Sequence, residues 1–138
     1  MRILFLGDIV GPSGCKAVKM YLPEIIIKEN LDFVVANGEN AADNGAGITE
    51  KISNELFDCG INVLTTGNHV WDQKETFEHI EKEKKLLRPH NLITPAPGKG
   101  FEIYSTKNNF KVGVLNLMGN VFMKKCDDVF IETEKFLK

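Results

Sequence analysis

The sequence predicts an α/β protein, a mainly parallel sheet flanked by helices. Two observations carry this. Short apolar runs alternate with longer stretches whose apolar residues recur at helical spacing. Each apolar run also ends in Gly with Asp, Asn or Glu, as buried parallel strands do where the chain turns back.

The elements read as follows. RILFL (2–6) is a buried strand ending at Gly7-Asp8, and DIVGPSG is the loop after it. CKAVKMYLPEIIIKEN has helical periodicity, and Pro23 inside it predicts a kink or two joined pieces. DFVVA (32–36) is the second strand. The next helix lies in ITEKISNELFDCG, with Thr49 as its N-cap and Gly60 as its stop; Ile52, Leu56 and Cys59 share one face. INVLTT (61–66) is the third strand.

Asp72 and Glu75 have capping-box spacing, so a helix is expected over 73–84 with Phe77 and Ile80 facing the core. LLRPHNLITPAPGKG reads as loop. FEIYST and FKVGVLNL flank KNN and predict a hairpin, with a fifth strand ending near Asn116. IETEKFLK is a last, short helix. Residues 1–138 read as a single domain, with enough chain for one core.

Composition excludes several classes. The net charge of −2 gives no footprint for nucleic acid or for an anionic membrane. The N-terminal apolar run is far shorter than the ~20 residues of a membrane span, and a cytoplasmic location is expected. Cys15, Cys59 and Cys126 have no C-x-x-C spacing, so reduced thiols are expected. His79 and His90 have no motif around them and read as surface or packing residues.

In α/β sheets ligands gather outside the carboxyl ends of the strands. Here those ends carry Asp8, then Asn37-Gly38-Glu39-Asn40, then Gly67-Asn68-His69. Each alone is commonly a turn or capping residue; the combination on consecutive strands is not. Converging carboxylates repel unless a proton or a metal lies between them. Oxygen ligands beside an imidazole suit divalent cations such as Mn or Fe. The Gly-rich loop 8–14 matches neither phosphate-binding glycine motif. GDI also lacks the nucleophilic Ser of the similar GDS esterase block, since Ile9 stands there.

Taken in order, MRILFLGDIVG, ANGENAADNGAGIT, TGNHVWD, LLRPHN and VLNLMGNVFM resemble the calcineurin-like metallophosphoesterases, in their bacterial YmdB-like branch. The resemblance implies the N-terminal half of that family's α/β/β/α sandwich and a phosphodiesterase acting on 2′,3′-cyclic nucleotides. It implies two divalent metal ions: Asp8 and Asn40 on one, Glu39 bridging, Asn68 on the other. His69 would be the catalytic proton donor. The partner would be a small phosphodiester substrate.

Family members are about twice as long, and their second half would supply one isolated His and a His-x-His pair. After His90 this chain has no histidine. It is therefore expected to be a fragment of a longer enzyme or a truncated chain with incomplete metal sites and little or no activity. A non-catalytic nucleotide- or partner-binding module is the alternative. Uncovered apolar surface would favour a homo-oligomer.

Overall fold

The computed structural model describes residues 1–93 and 95–137. Thr94, within the expected loop 86–100, and Lys138, within the expected last helix, lie outside the described residues. The chain runs β1 (Ile3–Val10), α1 (Gly11–Lys28), β2 (Phe33–Asn40), α2 (Glu50–Asp58), β3 (Val63–Thr65), α3 (Thr76–Lys82), β4 (Leu86–Leu87), β5 (Phe101–Ser105), β6 (Lys111–Leu115) and α4 (Val129–Leu137).

β1 to β4 form one all-parallel sheet in sequence order, and β5–β6 form a separate antiparallel hairpin. The predicted α/β architecture is therefore present, with two changes. β4 was not expected. It is two residues long and exists through backbone pairing, Leu64 N–H to the Lys85 carbonyl and Thr66 N–H to the Leu87 carbonyl. Two leucines after a lysine run show no alternation to read. The hairpin also lies outside the main sheet instead of extending it.

Strand alternation sorts the core into two faces. Val34, Ala36 and Leu64 join Leu22 of α1, Leu56 of α2 and Ile80 of α3 on the helix side. Phe33, Val35, Val63 and Leu87 meet Val112 and Val114 of the hairpin on the other. Ile3 and Phe5 of β1 pair with Phe33 and Val35, so they share the hairpin's face. The hairpin's cover does not reach them: Phe5 is 65% exposed on this edge strand. Beyond the hairpin, Phe136 of α4 rests on Phe101 and on the His90 ring, each 4.8 Å away.

The first two strands overrun their expected ends. β1 continues through Gly7-Asp8 to Val10, and Gly11, at φ +56°, turns the chain directly into α1. The expected loop 8–14 is thus a strand end and a helix start. β2 carries NGEN as its last residues. α1 is one helix with Pro23 inside it. Cys15, Val18, Leu22 and Ile26 pack on both sides of that proline, which sits on the exposed face where the freed carbonyl is open to water.

Thr49 caps α2 as expected, its Oγ1 accepting the Ile52 N–H at 3.2 Å, and Gly60 stops it at φ +111°. α3 starts at Thr76, later than expected, and has no side-chain cap. Its buried face is Thr76, His79 and Ile80. Two of those are polar, which hid the face from an apolar reading. Phe77 is consequently 54% exposed, its ring against Trp71. The three cysteines are free thiols, as expected. No helix among the described residues is long and apolar enough to cross a membrane.

This placement predicts unequal costs on one helix. Ile80→Ala should lower unfolding stability by about 2–5 kcal/mol, as buried aliphatic truncations do. Phe77→Ala should cost under about 1 kcal/mol, as for an exposed site. Urea unfolding followed by circular dichroism reads both, and a larger loss from Phe77→Ala would contradict the assigned core.

Candidate functional site

The adjacent ends of β1, β2 and β3 bring Asp8, Glu39, Asn40, Asn68 and His69 to one rim. Local irregularity shapes it. The β1–β2 register shifts on both sides of Asp8, which pairs with Asn37. Such bulges re-aim a side chain at a strand end. The Asn37 Oδ1 accepts the Glu39 N–H at 3.0 Å, a local turn that bends the strand end. The Asn40 Nδ2 donates to the Asp8 Oδ2 at 2.8 Å. That bond uses the amide nitrogen and leaves the Asn40 Oδ1 as an open acceptor.

Glu39 occupies the centre. Its carboxylate fills the space above Gly67: a Cβ there would lie 1.8 Å from Oε2. No side chain other than hydrogen is compatible with this approach. Among the described residues, the Glu39 Oε2 is the one buried side-chain oxygen or nitrogen without a hydrogen-bond partner. Burial pushes the Glu39 carboxyl above its ordinary range, and the Asp8 carboxylate adds to the rise. The His69 ring and the backbone N–H groups of His69 and Asn68 pull the other way. A half-buried carboxylate with one oxygen unpartnered, facing a second carboxylate, is costly without a cation.

His69 adjoins Asn68 but is held differently. Its Nδ1 lies 2.6 Å from the Asp72 Oδ2. A carboxylate only accepts, so Nδ1 carries the proton and Nε2 is the nitrogen left free for exchange. Both side chains are about two-fifths exposed, so the pair contributes orientation more than stability. The expected role of Asp72 as the cap of α3 is corrected: its carboxylate is committed to His69. The spacing of three residues was visible in the sequence, but an N-cap and a histidine partner share that signal.

Two other amides are structural. The Asn116 Nδ2 donates to the Thr66 and Leu87 carbonyls at 2.8 and 3.0 Å, tying the ends of β3 and β4 to the hairpin. It is buried and does not join the ligand set. The Gln73 Nε2 donates to the Ala46 carbonyl at 2.7 Å and to the Asn44 Oδ1 at 3.2 Å. Gly47, at φ +80°, has no room for a Cβ beside the Gln73 Cγ, 2.9 Å away. The Gly47 N–H in turn donates to the Glu39 carbonyl. Loop 41–48 is thereby clamped between Glu39 and the segment carrying His69, a function that periodicity could not reveal.

The remaining histidines are elsewhere. The His79 Nε2 is buried 2.7 Å from the Ser53 Oγ, and His90 packs on Phe136; both are packing residues, as expected. Among the described residues no three His, Cys, Asp or Glu side chains converge as a metal-binding group. The rim offers two carboxylates and two amides. Their oxygen chemistry and the orphaned Oε2 fit a divalent cation, but as part of a coordination shell. A cavity of about 290 Å³ opens beside Glu39 and Asn68. A larger one, about 550 Å³, lies around the Lys19–Glu55 ion pair and includes none of the rim ligands.

The family described as YmdB-like protein matches residues 4–138. A 2′,3′-cyclic-nucleotide 2′-phosphodiesterase of Bacillus subtilis (strain 168) is 42% identical over 137 residues, covering 99% of this chain and 51% of that protein. A solved hypothetical protein from Thermus thermophilus superposes with a TM-score of 0.90 at 35% identity, over 99% of this chain and 52% of the other. A solved phosphatase from Mycoplasma pneumoniae gives a TM-score of 0.88 at 30% identity, over 98% of this chain and 50% of the other. This chain thus spans about half the length of these relatives. With the family match running from the first strand to the last helix, the chain belongs to the YmdB-like protein family.

Proposed function

We propose that the rim is the metal- and phosphate-binding part of a phosphodiesterase site for 2′,3′-cyclic nucleotides. The observation that carries this is Glu39: a buried carboxylate oxygen with no partner, facing Asp8 at the ends of adjacent strands. Asp8, Glu39, Asn40 and Asn68 would hold two divalent ions, iron or manganese. When bound, such ions supply the positive charge that offsets the phosphodiester and its developing charge. The name of the Bacillus relative supports the nucleotide class.

The chain's own residues have distinct tasks. Gly67 makes room for the Glu39 carboxylate. The Asn40 amide holds Asp8 by its nitrogen while offering its oxygen to the rim. Asp72 fixes the His69 ring by Nδ1 and, as a carboxylate, supports the imidazolium; in that doubly protonated form the Nε2–H would pass its proton to the departing oxygen, leaving the neutral Nδ1–H ring. Neither His79 nor His90 adds a ligand, because each is packed elsewhere. The 138-residue chain is therefore expected to bind Mn²⁺ weakly and to turn over slowly or not at all. That same shortfall favours a second reading, a module that binds the nucleotide without cleaving it.

Glu39 yields a stability prediction whose sign is set by its raised pKa. The metal-free fold is stabilised while Glu39 is protonated, below its unfolded pKa. That contribution is lost as pH rises through the folded, raised value. Glu39→Gln, which cannot ionise, should therefore melt higher than wild type at neutral pH without metal, and the two should converge in acid. The same substitution should abolish the Mn²⁺ heat seen by calorimetry. Gly67→Ala, which displaces the carboxylate, should abolish it too. A metal-free Glu39→Gln chain that melts lower at pH 7 would sink the orphaned-carboxylate reading, and so would unaltered Mn²⁺ binding.

A second prediction separates the adjacent Asn68 and His69. In a full-length enzyme carrying this segment, Asn68→Ala should lower metal occupancy. His69→Ala should leave occupancy intact and slow an unactivated phosphodiester by about 10²–10⁴-fold, the usual scale for a lost general acid. Asp72→Asn should fall between wild type and His69→Ala. All losses at His69 and Asp72 should shrink on a nitrophenyl ester, whose leaving group departs without a proton. Equal slowing on both esters at full occupancy would remove the proton-donor role.

A further inference from the structure

The cavity beside the rim is of mixed character. Its lining includes polar residues, Glu39 and Asn68 among them, from the strand ends, and apolar ones, Met118, Val121 and Met123, from a later segment. Those apolar residues belong to the segment after β6, and the fold leaves its tip uncovered. Val121 is 77% exposed, and Phe122, which stands between two lining residues at the mouth and does not itself line the cavity, is wholly exposed. Phe122 also holds φ at +58°, a left-handed conformation that bulky side chains adopt at a cost.

The tip is presented by a firm base. Asn91, almost fully buried, accepts the Met118 N–H on Oδ1 at 2.9 Å and donates Nδ2 to the Met118 and Asp127 carbonyls. The Asn120 Oδ1 accepts from the Cys126 thiol at 2.7 Å and from the Cys126 N–H. The segment is thus pinned at 118, 120 and 126–127 while Val121–Met123 face outward. Packing gains nothing from a strained, water-exposed Val-Phe-Met tip.

A ligand with a charged end and a flat apolar end would match both kinds of lining. Resting on the phosphodiesterase reading above, we infer that Val121, Phe122 and Met123 form the wall against which the nucleobase of a 2′,3′-cyclic nucleotide packs. The chemistry of the wall also sets its selectivity. Val, Phe and Met offer no donor or acceptor to a base edge, and the Asn91 and Asn120 side-chain oxygens are already occupied. Recognition is then by stacking and contact, which every base can satisfy. The site should accept purine and pyrimidine cyclic nucleotides alike.

The test uses the 138-residue chain. Binding of 2′,3′-cyclic AMP, 2′,3′-cyclic UMP and dimethyl phosphate is measured by equilibrium dialysis with saturating Mn²⁺, and sedimentation is run in parallel. Phe122→Asn keeps a residue that tolerates the left-handed backbone and removes the ring; Val121→Ser and Met123→Ser strip the rest of the wall. The expected result is that wild type binds both nucleotides with similar affinity, each more tightly than dimethyl phosphate. The triple variant should lose roughly tenfold on both nucleotides, the scale of one lost stacking contact, and nothing on dimethyl phosphate.

Unchanged nucleotide affinity in the triple variant overturns the base wall, as does an equal loss on dimethyl phosphate. A shift in oligomeric state with nucleotide affinity unmoved overturns it in favour of a contact between copies. Strong discrimination between the two bases overturns the contact-only recognition. The parent reading fails separately, if nucleotide binding ignores both Mn²⁺ removal and Glu39→Gln. Absence of saturable binding by any probe overturns both.

Discussion

The buried, unpartnered Oε2 of the half-buried Glu39 carboxylate is the constraint on which the rim depends. A charge without a partner inside a fold must be either protonated or met by a cation. The surrounding residues are arranged as if to keep that demand unmet by protein. Gly67 surrenders its side chain to make the space, and Asn40 spends its nitrogen on Asp8 and keeps its oxygen. The loop 41–48 folds back so that the Gly47 N–H reaches the Glu39 carbonyl, and Gln73 holds that loop down. The side-chain oxygen itself is left alone. A fold selected for stability alone would have satisfied it or replaced it with an apolar group.

What the sequence made legible, and what it did not, follows from the kind of signal each feature leaves. The first three strands of the parallel sheet, the Thr49 cap and the Gly60 stop were readable because they depend on local chemistry. The positions of the rim residues were readable because strand ends in a parallel sheet converge by topology. β4 was hidden because two leucines become a strand only through the carbonyls of neighbours. The core face of α3 was misread because Thr76 and His79, both polar, are buried there by hydrogen bonds to the Ile48 carbonyl and the Ser53 hydroxyl. Asp72 and Asn116 were recognisable as polar residues near strand ends, but their partners, His69 in one case and two backbone carbonyls in the other, appear only in three dimensions.

The hairpin shields β2, β3 and β4 and stops short of β1, so Ile3 and Phe5 remain in water on an unpaired edge. Among the described residues, no third His, Cys, Asp or Glu joins Asp8 and Glu39 to form a metal-binding group. Relatives of about twice this length share the fold over the matched half at TM-scores of 0.90 and 0.88. Covering the β1 face and completing a metal shell of the kind proposed above would be separate physical tasks, one apolar and one ionic, and a partner meeting only one of them would leave the other visible.

The contrast between Asn68 and His69 shows how a short loop can divide labour between neighbours. On a strand, adjacent side chains point to opposite faces. Past the end of β3 that rule lapses, and each side chain goes where its own partners hold it. His69 is drawn towards Asp72, which lies in the next turn of the chain and fixes the ring tautomer. Asn68 lines the cavity together with Glu39. A carboxylate at Asn68 would add a third negative charge to a rim whose central carboxyl is already raised by burial and by Asp8. A neutral amide does not deepen that repulsion, so under the proposed metal reading Asn40 and Asn68 would each offer an oxygen around the pair of carboxylates without adding charge.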